Sequence, residues 1–290
     1  MQLDTHQHFW AFDEKEYGWI VDEGLDALRR DFLPADLRPL LDAAGVEATI
    51  AVQARQTLEE TEWLLELAAA HPWIAGVVGW MDLEAGGVEE EIGRLRERPG
   101  GARLVGMRHV IQGEAEGFMD RPAFREGVRE LGRAGLTYDL LIFERQMEEA
   151  VRFCAALDGQ PIVLDHVGKP RIRDGADYAG VEVWRRGMRE LGAMPHVSCK
   201  LSGMVTEADV ERWTEADLAP FIETSVEAFG VERLMFGSDW PVCTLAADYA
   251  RVRSVVEPFL GDASRADRGW LAASRAYGVT RASGWPAPPA

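Results

Sequence analysis

Leu3-Asp4-Thr5-His6-Gln7-His8-Phe9-Trp10 is the stretch that decides between two folds. It reads as a first strand. Side chains alternate faces along a strand, so Asp4, His6 and His8 fall on one side, with the two imidazoles about 7 Å apart at their Cα atoms. From there both rings can converge on one point, a metal ion or a polarised carbonyl oxygen. A bare His-x-His equally fits two surface histidines on an edge strand, so its weight depends on the rest of the chain. A doubly wound open sheet normally carries a Gly-rich phosphate turn after its first strand. Here that turn is His-Gln-His-Phe-Trp.

Working outward, the chain alternates strand and helix patterns. Val46–Ala54 is β-branched and reads as a second strand, after a helix over Pro34–Ala44 that stops at Gly45. Thr57 opens the next helix in a capping box with Glu60. Further strands are expected at Ile74–Trp80, Arg103–Ile111, Leu136–Phe143, Pro161–Val167, His196–Ser202 and Arg233–Gly237, with amphipathic helices between them. Two last helices are expected at Tyr249–Phe259 and Ala263–Tyr277. Eight alternations with no shift in composition predict one domain, a single TIM-like (β/α)8 barrel over residues 1–278. A Pro/Ala-rich tail then covers 279–290. The aromatic segment Phe9–Arg30 is too long for a plain connector and reads as a lid, as a seal on the barrel end, or as both.

Composition narrows the function. The 290 residues carry 31 basic and 49 acidic side chains, a net charge of −18, which would repel a nucleic acid. No apolar run approaches the roughly 20 residues of a membrane span. Met1 leads directly into the polar-alternating strand without a signal-peptide pattern, and three cysteines (Cys154, Cys199, Cys243) lack metal-like spacing. Together these predict reduced thiols in a cytoplasm.

Chemistry in such barrels sits at the carboxyl ends of the strands. Those ends offer His6 and His8, Gln53 and Arg55, Asp82, Arg108 and His109, Asp139, His166 and Lys169, Lys200, and Asp239. Four of the six histidines lie there, while His71 and His196 precede strands and belong to the opposite, structural face. Of only three lysines, Lys169 and Lys200 fall at the mouth, as a cationic rim for an anionic or hydroxyl-rich substrate or as salt-bridge partners of Asp165 and Glu207. Asp239 stands just past an apolar strand in Phe236-Gly237-Ser238-Asp239-Trp240-Pro241.

His6-Gln7-His8, Leu164-Asp165-His166 and Gly237-Ser238-Asp239-Trp240-Pro241 resemble the amidohydrolase superfamily. Ala51-Val52-Gln53-Ala54-Arg55 and Cys199-Lys200-Leu201-Ser202-Gly203 are similar to its sugar-lactonase branch. The resemblance runs over nearly the whole chain. It implies that the barrel is distorted, and it implies hydrolysis of a sugar lactone by an activated water, with Asp239 as general base and His6, His8 and His166 around the carbonyl. Trp10, Gln53, Arg108, His109, Asp139, Lys169, Lys200 and Trp240 are then expected to meet the substrate. It also implies either one divalent cation, zinc, on His6, His8, His166 and Asp239, or no metal. Binuclear members bridge their metals with a carboxylated lysine on the fourth strand, where this chain has Met107-Arg108-His109. Two other outcomes stay open: metal-dependent nonoxidative decarboxylation, as in a related branch, and a barrel that only binds a sugar acid.

Overall fold

The computed structural model describes residues 3–260 and 268–281, and side chains from Leu3 to Leu260 and from Trp270 onward. Eight strands form one sheet in sequence order: β1 (Leu3–Gln7), β2 (Ala48–Val52), β3 (Ile74–Gly79), β4 (Leu104–His109), β5 (Thr137–Leu140), β6 (Ile162–Leu164), β7 (Val197–Leu201) and β8 (Leu234–Phe236). Every neighbouring pair is parallel. The barrel closes where β8 meets β1. There the His8 amide donates to the Trp240 carbonyl at 2.7 Å and the Asp239 amide donates to His6 at 2.8 Å.

Leu3, Ile50, Val78, Val105, Val163 and Met235 come from strands all round the barrel yet share one buried cluster, which places them in its interior. Trp270, Ala273 and Tyr277 join them from the helix Arg268–Tyr277, which packs on that layer. Residues 263–267 of the expected last helix, and the tail beyond residue 281, lie outside the described residues. A second cluster, including Leu37, Leu64, Ile92, Phe124, Phe153, Trp184 and Phe221, cements the outer helices to the sheet.

Local chemistry explains most element ends. Gly45 stops the helix Pro34–Ala44 in the left-handed conformation that favours glycine. The Thr57 hydroxyl caps the Glu60 amide at 3.2 Å, but only half of the expected capping box forms. Glu60 turns instead to the amides of Ala54 and Arg55, at 2.9 and 2.8 Å, and accepts from the Tyr17 hydroxyl at 3.1 Å. The observed strands are all shorter than their patterns suggest, β2, β5 and β6 most of all. β6 ends because His166, Val167, Gly168 and Lys169 all have positive φ, which no strand can continue. The Phe9–Arg30 segment packs inward: Trp10, Tyr17, Ile20 and Leu28 are buried, and Trp10 bridges Phe32.

Candidate active site

β1 breaks strict alternation. Its register against β2 shifts between Asp4 and Gln7, so Asp4 does not share a face with His6 and His8 as the pattern suggests. Its carboxylate accepts from the Tyr249 hydroxyl at 3.0 Å and from the amides of His6 and Ser238 at 3.1 and 3.0 Å. Asp4 thus ties β1 to the turn that carries Asp239. His6 and His8 both point into the mouth, with their Nε2 atoms 3.2 Å apart.

Asp239 completes the group. It has a φ of 57° and closes the β8 end over β1. Its Oδ1 lies 3.3 Å from His8 Nε2, 3.8 Å from His6 Nε2 and 4.0 Å from His166 Nε2. Two close backbone approaches make room: a Cβ on Gly237 would sit 2.5 Å from His6 Cβ, and one on Gly203 would sit 2.5 Å from His166 Nδ1. Glycine is required at both places.

The back of each imidazole is held. His8 Nδ1 donates to the Val52 carbonyl at 2.8 Å, so a neutral ring turns a bare Nε2 toward Asp239. His166 Nδ1 meets the Ser202 hydroxyl at 2.9 Å, and His6 Nδ1 lies 3.3 Å from Asp165 Oδ1. Beneath His6 is a buried charge network. Lys200 Nζ contacts Asp139 at 2.5 Å and Asp165 at 3.0 Å. Arg108 Nη1 pairs with Asp165 at 3.1 Å, and its Nη2 donates to the Gln53 carbonyl and, at 3.1 Å, to Gln53 Oε1. The Tyr277 hydroxyl closes Asp139 from the barrel floor at 2.8 Å.

Burial sets the protonation states. It pushes His166 down to about 4 and holds His6 well below the usual histidine range. Burial alone would raise Asp239, but the neighbouring His166, His8 and His6 outweigh it and hold the carboxyl well below its ordinary value. Asp165 behaves alike: burial would raise it, and Lys200, His6 and Arg108 hold it well below. At neutral pH the mouth therefore presents an ionised Asp239 among neutral rings of His6 and His166.

That donor set fits one divalent cation. A tetrahedral zinc with bonds of about 2.0–2.1 Å keeps its ligand atoms about 3.3 Å apart, close to the spacing of His6, His8 and Asp239 seen here. A neutral His8 nitrogen against a carboxylate oxygen also requires a proton or a cation between them. His166 Nε2 lies 4.0 Å from Asp239 Oδ1 but outside that group of three, and shares a second possible ligand group with His6 and Asp165.

The remaining expected site residues divide. Lys200 and Asp139 are fully buried and engaged with each other below the mouth, so neither forms a rim for substrate. Trp10 lies in an aromatic cluster with Tyr17, Trp19 and Phe32, its indole donating to the Arg30 carbonyl at 2.9 Å. Trp240 is buried against Phe9 and Phe32. Both indoles are buried in the aromatic packing at the barrel end. Gln53 and Arg108 hold each other from behind, and His109 is fixed between Trp80 and Glu114. Lys169, paired with Glu207 at 3.4 Å, remains partly exposed at the β6 turn. Ser202 and Ser238 join the site without having been expected there, and Asp165 joins it as the salt-bridge partner of Lys200 that the sequence had offered. Asp165 was visible beside His166, but nothing in a strand-turn pattern shows that it faces His6 across the barrel. Among the described residues no helix is long and apolar enough to cross a membrane.

Known proteins carry the same framework. An L-fucono-1,5-lactonase of Burkholderia multivorans is 46% identical over 264 residues, covering 89% of this chain and 88% of its own. One from Burkholderia ambifaria is 35% identical, covering 98% and 97%. The crystal structure of an amidohydrolase from Burkholderia multivorans with bound zinc superposes with a TM-score of 0.88 at 42% identity, covering 96% of this chain and 99% of that one. The amidohydrolase family model itself matches residues 3–279, nearly everything from β1 to the end of the described chain. With its eight-stranded barrel, its His-x-His on β1 and its aspartate after β8, this chain belongs to the amidohydrolase family.

Proposed function

We propose that this protein hydrolyses a sugar lactone, L-fucono-1,5-lactone or a stereochemical relative. The observation that carries this is the Asp239 carboxylate, buried at the barrel mouth beside three imidazole nitrogens. The likeness to the L-fucono-1,5-lactonases supports the substrate class.

The chemistry follows from the placement. Asp239 Oδ takes a proton from a water, whose oxygen attacks the lactone carbonyl. The tetrahedral oxyanion forms beside His6 and His166, whose Nε2 atoms stabilise it electrostatically when they carry a proton, while His8, whose proton is held at Nδ1, does so only through a bound cation. The ring C–O bond then breaks, and the protonated Asp239 returns its proton to the departing oxygen. When bound by His6, His8, His166 and Asp239, a divalent cation, zinc in our proposal, supplies Lewis-acid polarisation of the carbonyl. Arg108 and Gln53 keep the β2 and β4 ends in register behind the rings, and Lys169, in our reading, holds a substrate hydroxyl.

Lactone opening releases acid, so a pH-indicator assay on purified protein tests the proposal. L-Fucono-1,5-lactone should turn over, and Asp239→Asn should lower the rate by about 100- to 10,000-fold, as removal of a general base does. Loss of activity on chelation, matched by His6→Ala, would make the cation essential. Activity that survives chelation but falls in His6→Ala would assign the polarisation to the imidazoles. Carbon dioxide release from an aromatic acid, with no lactone opened, would transfer the chain to the decarboxylases. A ligand-induced melting shift without turnover would make it a binding protein.

A further inference from the structure

Each ring nitrogen of His6 faces one donor and one acceptor. At Nδ1 the donor is the Lys200 ammonium at 3.2 Å and the acceptor is Asp165 Oδ1 at 3.3 Å. At Nε2 the donor is Arg108 Nη1 at 3.3 Å and the acceptor is His8 Nε2 at 3.2 Å. A neutral imidazole carries one N–H and one lone pair. With its proton on Nε2, His6 donates to His8 and accepts from Lys200. With its proton on Nδ1, it donates to Asp165 and leaves the Nε2 lone pair for either Arg108 or a cation. The contacts of the first set have hydrogen-bond geometry here, while the buried Asp165 Oδ1 has no hydrogen-bond partner and is open to the second. His8 has no such freedom, because a carbonyl, that of Val52, stands behind its Nδ1 and can only accept.

We propose that Lys200 and Asp165 form a tautomer cradle for His6, which lets one histidine cluster exist in two states. In one state the cluster is closed on itself through a hydrogen bond from His6 to His8. In the other the Nε2 lone pairs of both rings are turned to a divalent cation. Passing from the first to the second breaks the N–H bond at Nε2 and forms one at Nδ1, so the ring gains and loses no net charge. The surroundings suit this: Lys200, Asp139, Asp165 and His6 are fully buried, and the cations of Lys200 and Arg108 balance the anions of Asp139 and Asp165. A carboxylate behind an N–H steadies a metal-ligating imidazole, and an ammonium behind a lone pair steadies a metal-free one. Either partner alone would hold a single tautomer. Lys200 and Asp165 are positioning residues, acting through His6.

The cradle rests on the proposed hydrolysis only for its catalytic meaning, and its test needs no turnover. The full chain is labelled with nitrogen isotope at its histidines, His6 is assigned by the signal lost in His6→Gln, and long-range proton–nitrogen correlation reads which nitrogen is protonated. The chelated protein should carry the proton on Nε2, and the protein with one equivalent of zinc on Nδ1. The same protonated nitrogen in both states overturns the cradle. Asp165→Asn, similar in shape but neutral, should weaken zinc binding by about 10- to 100-fold, as loss of an outer partner does, in competition with a chromophoric chelator. Unchanged zinc affinity in that variant also overturns it. Should the variant fail to fold, the wild-type spectra decide. A tautomer change in a protein that opens no lactone refutes the hydrolysis and leaves the cradle standing. Lactone turnover with a fixed tautomer does the reverse.

Discussion

Asp4 illustrates how one buried carboxylate links pH to the site. Its three hydrogen bonds hold the β8 turn and the helix Tyr249–Leu260 onto β1. Burial nevertheless pushes its carboxyl up to about 6 from 3.8. The folded protein therefore keeps this proton at pH values where the unfolded chain has lost it. Stability from this group is fully present below about pH 4 and declines as pH rises to about 6, by about 3 kcal/mol at about 1.4 kcal/mol per pKa unit. Asp4→Asn retains an acceptor for the two amides and offers its NH₂ to the Tyr249 oxygen, without the charge. Its melting temperature relative to wild type should rise between about pH 4 and about pH 7. A difference that stays constant across that range would exclude this role. Asp239 is the opposite case, a buried carboxylate whose pKa is lowered from its ordinary value.

The site at the level of elements depends on how strands end. His166 and Asp239 both occupy the left-handed region, with φ of 53° and 57°, at a cost of about 1–3 kcal/mol each. That conformation turns the side chains back over the barrel toward His6. Gly237 lacks positive φ, so its requirement is purely steric: an added Cβ meets His6 Cβ at 2.5 Å and Ser202 Cβ at 3.0 Å. Both contacts are to atoms bonded directly to backbone, so neither can swing away. Gly237→Ala should therefore displace the His6 strand, and a shift of about 1 Å at the reacting groups costs on the order of 100-fold in kcat. Lactone kinetics alongside a thermal melt check this. A variant with wild-type kcat would show that the β1–β8 seam yields more than its packing indicates. These devices also mark where sequence patterns stop being informative. The apolar runs identify β6 and β8, but the reversal at His166 and the slip between Asp4 and Gln7 leave no periodic trace. Hence Asp4 was expected on the wrong face.

For the molecule as a whole, the barrel was legible because eight apolar strand patterns and their helices repeat with little interruption, and the reactive residues were legible because they cluster at one end of those strands. Depth was not. Lys200, Asp139, Trp10 and Trp240 sit at the right positions along the chain but are buried beneath or beside the mouth, since one-dimensional patterning fixes a face and not a height. Charge adds a last discrimination at this scale. The chain carries −18, while the buried network at the site pairs two cations with two anions. A lactone is neutral and feels little of that field, whereas an aromatic carboxylate, the substrate of a decarboxylase, would be repelled on approach. Raising ionic strength from 0.01 to 0.1 M shortens the screening length from about 30 Å to about 10 Å. For the lactone, kcat/KM should change by less than about twofold over that range. An anionic substrate would instead show kcat/KM climbing steadily with salt, and such a rise measured on the true substrate would count directly against a neutral cyclic ester.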